Sequence, residues 1–222
     1  MSRLIQLWPA AGLRASSGNL ELRWITDELM VLLADVAGRG IHHPDLMPFT
    51  FPWTRGSNEQ VARGLLSYQW SARSTMGPNE VALEMAVLVD GEPIGVQAAG
   101  GKDFSVLRTV ETGSWMGQEF QGRGLGTKMR ALMLHLLFDG LGTRVVTSTA
   151  YADNPASNRV SLKTGYEPDG SYEVVRDQTP TELNRYVMTA QRFATQREAL
   201  GQLLGAPVTL EGTEAVRKQL AG

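Results

Sequence analysis

The chain of 222 residues contains no cysteine, which excludes disulfide bonds, thiolate metal sites and a cysteine nucleophile. It has no stretch near the roughly 18 apolar residues of a membrane span, and its N-terminus lacks the apolar core of a signal peptide. A net charge of −2 gives no electrostatic reason for binding nucleic acid or an anionic membrane. We therefore expect a cytoplasmic protein with neither kind of partner.

Histidine is also scarce, with His42 and His43 adjacent and His135 alone. Without cysteine or other clustered ligands, these residues do not predict a metal site. The composition, 42% hydrophobic and 20% charged residues, is that of an ordinary globular protein. We expect one domain over residues 1–190 and a C-terminal helical extension over residues 191–222.

The hydrophobic pattern changes between helical and strand periods along the chain. Asp90-Gly91 between two apolar runs predicts a β-hairpin. Three prolines exclude a regular helix over residues 41–56. The predicted helices cover 26–38, 57–74, 126–142 and 155–165, and the predicted strands cover 19–25, 80–89, 92–101, 106–117, 144–153, 166–176 and 182–190. This order predicts an α+β fold around one sheet.

The most informative segment is the loop from Gln121 to Thr127, which lies between a predicted strand and a predicted helix. It contains three alternate glycines, Gly122, Gly124 and Gly126. Glycines let backbone N–H groups approach a ligand closely, and the N-terminus of a helix favours an anion. The loop therefore predicts a pyrophosphate site.

Two other phosphate loops fit this segment poorly. A P-loop ends in Gly-Lys-Ser/Thr, but Thr127 separates Gly126 from Lys128. The Rossmann pattern needs different glycine spacing after the first strand of a fold. Arg123 adds a charge for a phosphate contact, and Leu125 is a further residue of this loop. A flexible turn without a ligand remains the alternative.

A second motif follows at Asn154, with Ser157, Asn158, Gly165 and Tyr166 at fixed offsets. Alone it describes a capped helix. Together with Gln-x-x-Gly-x-Gly in the glycine loop, it resembles the signatures of the GNAT acyltransferase superfamily. The opening LELR and the segment ETGSWMGQEFQGRGLGTKMRAL resemble the branch of Rim-type ribosomal-protein alanine N-acetyltransferases. The resemblance covers residues 19–190.

The resemblance implies a GNAT fold, a mixed and mostly antiparallel sheet flanked by helices. The fourth and fifth strands of the family fold splay apart, and the pantetheine of coenzyme A fills the gap. Backbone groups of Trp115, Met116 and Gly117 would pair with it. The loop from Gln121 to Thr127 would hold the pyrophosphate, and the asparagines of the second motif, Asn154 and Asn158, would contact the pantetheine arm.

The irregular segment 41–56 would wall the amine pocket in such a fold. His42, Phe49 and Trp53 are the candidate substrate contacts there, and the two aromatic residues are equally compatible with a plain core role.

The activity implied is transfer of an acetyl or similar short acyl group from acyl-CoA to an amine, with no protein nucleophile and no metal. Glu111 is the candidate base, since the Rim-type branch often has an acid ten residues before Gln121. The tyrosine that many members use as acid is Ser161 here, so Ser157 is the candidate acid and Tyr166 a second one. A backbone N–H near Trp115 or Met116 would meet the oxyanion.

Other interpretations stay open at this point. The donor can be acetyl-CoA or succinyl-CoA, and a basic residue in the acyl pocket would favour succinyl-CoA. The chain can also be a catalytically silent acyl-CoA-binding regulatory module, in which case no amine would be acylated. The acceptor is an amine of undetermined type, from a protein N-terminus to a small molecule. Pairing into a homo-oligomer through the tail also stays open.

Overall fold

The computed structural model describes residues 2–221 and contains one nine-stranded sheet in the order β7-β8-β6-β5-β4-β3-β2-β1-β9. All neighbouring strands are antiparallel except β5 and β6, which are parallel. The strands are β1 (Arg14–Ser17), β2 (Leu20–Trp24), β3 (Glu80–Val89), β4 (Glu92–Lys102), β5 (Thr109–Met116), β6 (Val145–Tyr151), β7 (Glu167–Arg176), β8 (Thr179–Thr189) and β9 (Val208–Glu211).

Helices cover both faces of this sheet, and each face has its own hydrophobic cluster. Helices α2 and α3 pack on one face, while α5, α7 and α8 pack on the other. The helices are α1 (Arg3–Leu7), α2 (Asp27–Arg39), α3 (Asn58–Arg73), α4 (Phe104–Leu107), α5 (Leu125–His135), α6 (Pro155–Lys163), α7 (Ala190–Leu204) and α8 (Thr213–Ala221). In the described part of the chain, no helix combines the length and the hydrophobicity that crossing a membrane requires.

The α+β fold class predicted from the sequence is confirmed, with the predicted strands and helices in the predicted order. Differences occur where tertiary contacts decide the local structure. The helix predicted to end near residue 142 stays α-helical only to His135, and a π-helical turn, Leu136–Leu141, follows it. Gly142 then ends the segment with a φ of 71°.

Strands β5 and β6 diverge, as the resemblance implies. They pair only where Thr109 to Thr112 lie beside Val145 to Ser148. Beyond that point β5 continues to Met116 and β6 to Tyr151 without pairing with each other. Beyond their paired residues the two strands are therefore separated by a wedge-shaped gap, whose closed end lies at Thr112 and Ser148.

The described part of the predicted C-terminal extension, residues 191–221, is more ordered than its sequence indicates. Strand β9 pairs with β1 and forms one edge of the sheet. Helix α8 buries Val216 and Leu220, which are 0% and 1% exposed. The sequence after residue 204 lacks a strong period, because a four-residue edge strand leaves almost no pattern. The domain boundary at residue 190 stays a prediction.

Candidate active site

The loop between β5 and α5 presents a run of free backbone donors. No hydrogen bond between described residues uses the N–H groups of residues 122–126. Gly124 is the N-cap of α5, and no side chain caps this helix end. Five consecutive N–H groups at the positive end of a helix dipole form an anion-binding concavity.

The first two glycines of this loop are required by backbone conformation. Gly122 and Gly124 have φ angles of 75° and 78°, in the left-handed region that side chains disfavour. A Cβ at either position would meet no atom within 4 Å, so space is not the constraint. Gly126 lies against α6, where a Cβ would lie 3.6 Å from the Val160 side chain. Arg123 beside them is exposed.

Gln121 anchors the loop to the rest of the fold. Its Nε2 donates to the Met116 carbonyl at 2.9 Å and to the Ile41 carbonyl at 2.7 Å. Both N–H bonds of the amide are thus used by the protein itself. The residue predicted to contact the cofactor holds the loop against the end of β5 and the segment that follows α2.

Backbone groups along β5 alternate between the neighbouring strand and the gap. The Gly117 N–H donates to the Ile94 carbonyl at 2.9 Å, so it faces β4. By the alternation of a strand, the backbone of Trp115 also faces β4, whereas that of Ser114 and Met116 faces the gap. Among the three predicted pantetheine contacts, Met116 is the one whose N–H points into the gap.

Helix α6 begins on the other side of the gap. The Asn154 side chain caps it, since its Oδ1 accepts from the Ser157 N–H at 3.1 Å. Asn158 Nδ2 donates to two backbone carbonyls, and its Oδ1 accepts from the Tyr186 hydroxyl at 2.6 Å and from Asn184 at 3.0 Å. These contacts use every donor and acceptor of the Asn158 amide. Asn158 therefore joins α6 to the sheet and has no group left for a cofactor.

Glu111 lies on the face of the sheet that α2 and α3 cover, the face shared by Trp115. It is exposed, and its Oε1 accepts from the Thr149 hydroxyl at 2.7 Å. Its neighbours across β4 and along β5 on this face are Gly100 and Gly113. The carboxylate therefore has glycines on its β4 side and next to it along β5, threonines of β6 on its other side, and lies close to the closed end of the gap.

The candidate substrate contacts form one continuous row of rings. Ring centroids of His42 and Phe49 lie 5.9 Å apart, those of Phe49 and Trp53 5.4 Å, and those of Trp53 and Trp115 5.8 Å. His42 Nε2 also lies 2.7 Å from the Thr54 hydroxyl. The structure thus places the irregular segment 41–56 beside Trp115 of β5, and a role of these residues in binding substrate stays a prediction.

A cavity of about 420 Å³ lies on the outer side of this aromatic row. Its lining includes His42, Thr54, Arg55 and Asp177. The lining does not include Glu111, so this carboxylate lies outside the cavity.

Comparison with known proteins agrees with this geometry. The sequence matches the family described as the acetyltransferase (GNAT) domain over residues 19–167. The chain belongs to the GNAT acetyltransferase family.

Solved structures of GNAT proteins share the fold at low identity. A GCN5-related N-acetyltransferase from Brucella melitensis has a TM-score of 0.68 at 17% identity, over 86% of this chain and 85% of that one. Mycobacterium smegmatis RimJ, in complex with CoA-disulfide, has 0.62 at 20%, over 84% and 93%. RimL, a ribosomal L7/L12 alpha-N-protein acetyltransferase in complex with CoA, has 0.61 at 19%, over 78% and 95%.

Sequence reasoning missed three buried polar side chains in this GNAT domain. Arg130 of α5 and Glu84 of β3 are 3% and 9% exposed. Tyr151 is 1% exposed, and its hydroxyl has no hydrogen-bond partner among residues 2–221. Continuing the β5–β6 register places Tyr151 opposite Trp115 across the gap. The signal available was weak, since each residue interrupts an otherwise apolar run. Among the described residues, no three potential ligands cluster as a metal site.

Proposed function

We propose that this GNAT-family protein transfers an acetyl or another short acyl group from a CoA thioester to a primary amine by direct attack in a ternary complex. The observation that carries the proposal is the run of free N–H groups at residues 122–126, placed at the N-terminus of α5 beside the open gap. A pyrophosphate needs donors of this kind, and a pantetheine chain needs an unpaired strand edge.

The chain's own groups fit CoA along this path. The amides of residues 122–126 and the Arg123 guanidinium would bind the pyrophosphate, and the pantetheine would run alongside the unpaired, gap-facing edge of β5. Asn158 would act through the position of α6, because its side-chain amide is fully bonded within the protein. Asn154 uses only its Oδ1 there, so its Nδ2 would contact the pantetheine arm.

The acyl-CoA supplies a thioester carbonyl that an amine can attack without a protein nucleophile. Glu111 would take the proton from the attacking ammonium, directly or through one water, because it is an exposed carboxylate beside the closed end of the gap. The Met116 N–H, which faces the gap, would stabilise the oxyanion.

We assign the return of a proton to the thiolate to Ser157. It is half-buried in the first turn of α6, at the mouth of the gap. Ser161 is 0% exposed, so it does not replace the tyrosine that many GNAT members have there. The Tyr166 hydroxyl is also buried and lies 3.1 Å from that of Thr112.

The acceptor would enter between Glu111 and the aromatic row. RimL and RimJ share the fold, and RimL is described as a ribosomal-protein acetyltransferase, which makes a protein N-terminus the first acceptor to test. The acceptors to compare in the acyl-transfer assay are peptides with free N-termini and small primary amines.

Two measurements test the function. Calorimetry should detect CoA binding, and acyl-CoA with an accepted amine should release free thiol. The Glu111→Gln variant should keep CoA affinity and lower kcat/KM, while Ser157→Ala should lower kcat. Unchanged kcat/KM and pH profile in Glu111→Gln would remove Glu111 from the mechanism. CoA binding without turnover on any amine would favour the silent regulatory module.

A further inference from the structure

Helix α5 carries a buried positive charge that is hydrogen-bonded but not neutralised. Arg130 is 3% exposed, and no ion pair among residues 2–221 includes it. The centre of the Tyr166 ring lies 5.9 Å from its guanidinium carbon, and burial raises the pKa of that phenol, so the ring is a neutral neighbour. Solvent screens a buried charge less than a surface charge, so the potential of Arg130 extends to the groups around it.

The guanidinium is fixed in place by one side chain from each of three strands. Its Nη1 donates to the Ser148 hydroxyl at 3.0 Å, its Nη2 to the Ser114 hydroxyl at 3.4 Å and its Nε to the Gln97 Oε1 at 3.4 Å. All three acceptors are neutral. Because each nitrogen already has a partner, Arg130 acts on a ligand through the side chains that it holds.

Ser114 connects this charge to the gap between β5 and β6. It lies two residues beyond the last paired position of β5, and it is half-buried, whereas Ser148 is 1% exposed. Its oxygen accepts from Arg130, and its own O–H donates to no other residue that the structure describes. A hydroxyl that accepts from a cation is polarised and becomes a better donor. Ser114 therefore offers a strengthened O–H beside the unpaired edge of β5.

We propose that the Ser114 hydroxyl stabilises the leaving thiolate of CoA, and that Arg130 is the positioning residue that holds and polarises this hydroxyl. The inference rests on the proposed function. CoA would run from the amides of residues 122–126 past Met116 toward the closed end of the gap, with its sulfur innermost. Ser114 and Met116 are two residues apart, about 7 Å along β5, a distance that a thioester with one hydrogen bond at each end can span.

The step adds one contact to the reaction of the proposed function. The amine nitrogen bonds to the thioester carbon, Glu111 takes the amine proton, and the carbon–sulfur bond breaks with its electron pair going to sulfur. Ser114 donates a hydrogen bond to that pair and keeps its proton, and Ser157 then supplies the proton that gives free CoA. A donor that meets charge as it develops lowers the barrier to this cleavage.

The test is a titration of the CoA thiol in its complex with the intact chain, followed by the ultraviolet absorbance of the thiolate. The protein has no cysteine, and subtracting the complex with desulfo-CoA, which lacks the sulfur, removes the signal of its tyrosines. We expect the pKa of the bound thiol to lie at least about one unit below that of free CoA, which is about tenfold more thiolate at a given pH. Glu111, a carboxylate on the opposite face of the sheet, would oppose this shift, so a lowered pKa identifies the positive charge.

Substitutions assign the lowered pKa to the two residues. Ser114→Ala and Arg130→Met should each remove most of it, while Ser114→Thr, which keeps the hydroxyl, should retain it. In the acyl-transfer assay, Ser114→Ala should lower kcat by about tenfold and leave the KM for acyl-CoA within about twofold. Arg197→Met is the matched control, because this exposed arginine of α7 bonds to Asp139 and should leave the thiol pKa unchanged.

Two results overturn the inference and leave the proposed function standing. One is a bound thiol with a pKa equal to or above that of free CoA. The other is the same thiol pKa and the same kcat in Ser114→Ala as in the wild type. If calorimetry detects no CoA binding, the proposed function fails and the inference fails with it. The wild type and Ser114→Ala decide the matter even if Arg130→Met does not fold.

Discussion

Replacing Glu84 with glutamine should stabilise this protein near neutral pH. Glu84 projects from β3 under α3, is 9% exposed and has no ion-pair partner among the described residues. It accepts from the Tyr68 hydroxyl at 2.8 Å and from Gln69 Nε2 at 3.2 Å. Burial raises the pKa of Glu84 from 4.5 to about 6, although these two hydrogen bonds oppose the shift.

The magnitude follows from the pKa difference. Between pH 4.5 and 6 the unfolded chain loses the Glu84 proton while the folded chain keeps it, so the free energy of unfolding falls as pH rises. A difference of about 1.5 pKa units corresponds to about 2 kcal/mol, which the folded state has lost in full above pH 6. A neutral glutamine avoids this loss, and its amide oxygen can still accept from the Tyr68 hydroxyl.

The assay is urea unfolding followed by tryptophan fluorescence, for the wild type and Glu84→Gln, between about pH 4 and 7.5. The difference in unfolding free energy should be near zero at the acidic end and should rise to about 2 kcal/mol in favour of Glu84→Gln by pH 7. If the difference in unfolding free energy between the two proteins did not change with pH, or fell as pH rose, Glu84 would not be a buried carboxylate without a neutralising partner.

Glu21 provides a matched control of opposite sign. It is also 9% exposed, but Arg14 and Arg23 both donate to its carboxylate. Burial raises the pKa of Glu21, and the hydrogen bonds from Arg23 and Arg14 outweigh burial, so its pKa lies below the ordinary value. The stability that Glu21 contributes is present above its unfolded pKa and is lost as pH falls through its folded pKa, so Glu21→Gln should become less stable relative to wild type as pH rises.

Three further predictions concern the site. In Gly124→Ala, the alanine must adopt a φ of 78°, which should lower the free energy of unfolding by about 1 kcal/mol. The distorted loop should also raise the Kd for CoA at least tenfold. An unchanged Kd by calorimetry would contradict the assignment of this loop to CoA binding. Asn158→Ala leaves the Tyr186 hydroxyl and the other partners of the Asn158 amide unpaired, so urea unfolding should show a free energy of unfolding lower by about 1–3 kcal/mol. An unchanged free energy would mean that Asn158 does not hold α6 to the sheet. Glu111→Gln should lower kcat/KM by about 100-fold or more, while Thr149→Val, which removes only a hydrogen bond to Glu111, should lower it less.

The sequence predicted the architecture well, because its signals are local. Asp90-Gly91 forms the predicted turn between β3 and β4, and Asn154 caps α6 as the motif indicates. The glycine loop lies between a strand and a helix, with left-handed φ angles at Gly122 and Gly124. Turn chemistry, capping and conformational freedom belong to a few neighbouring residues, so they can be read without the fold.

The parts that sequence reasoning missed depend on residues far apart in the chain. Strand β9 forms because β1 offers it an edge for pairing, although the two strands are far apart in the chain (Ser17 pairs with Val208), and its own four residues carry no clear period. The roles of Gln121 and Asn158 also changed, since partners on other elements already use their amides. The catalytic and substrate-binding assignments of the site stay predictions.

Sequence alone determined the family, the order of the central strands and helices, and the position of the glycine loop, because each depends on short patterns of neighbouring residues. Only the tertiary structure decided where β5 and β6 separate and which charges are buried without a partner. Arg130 lies in a largely apolar helix and Glu84 in a largely apolar strand. Neither stretch of sequence shows which groups will surround the charge. The surroundings come from strands and helices that meet only after folding, and they set the free energy of each charge.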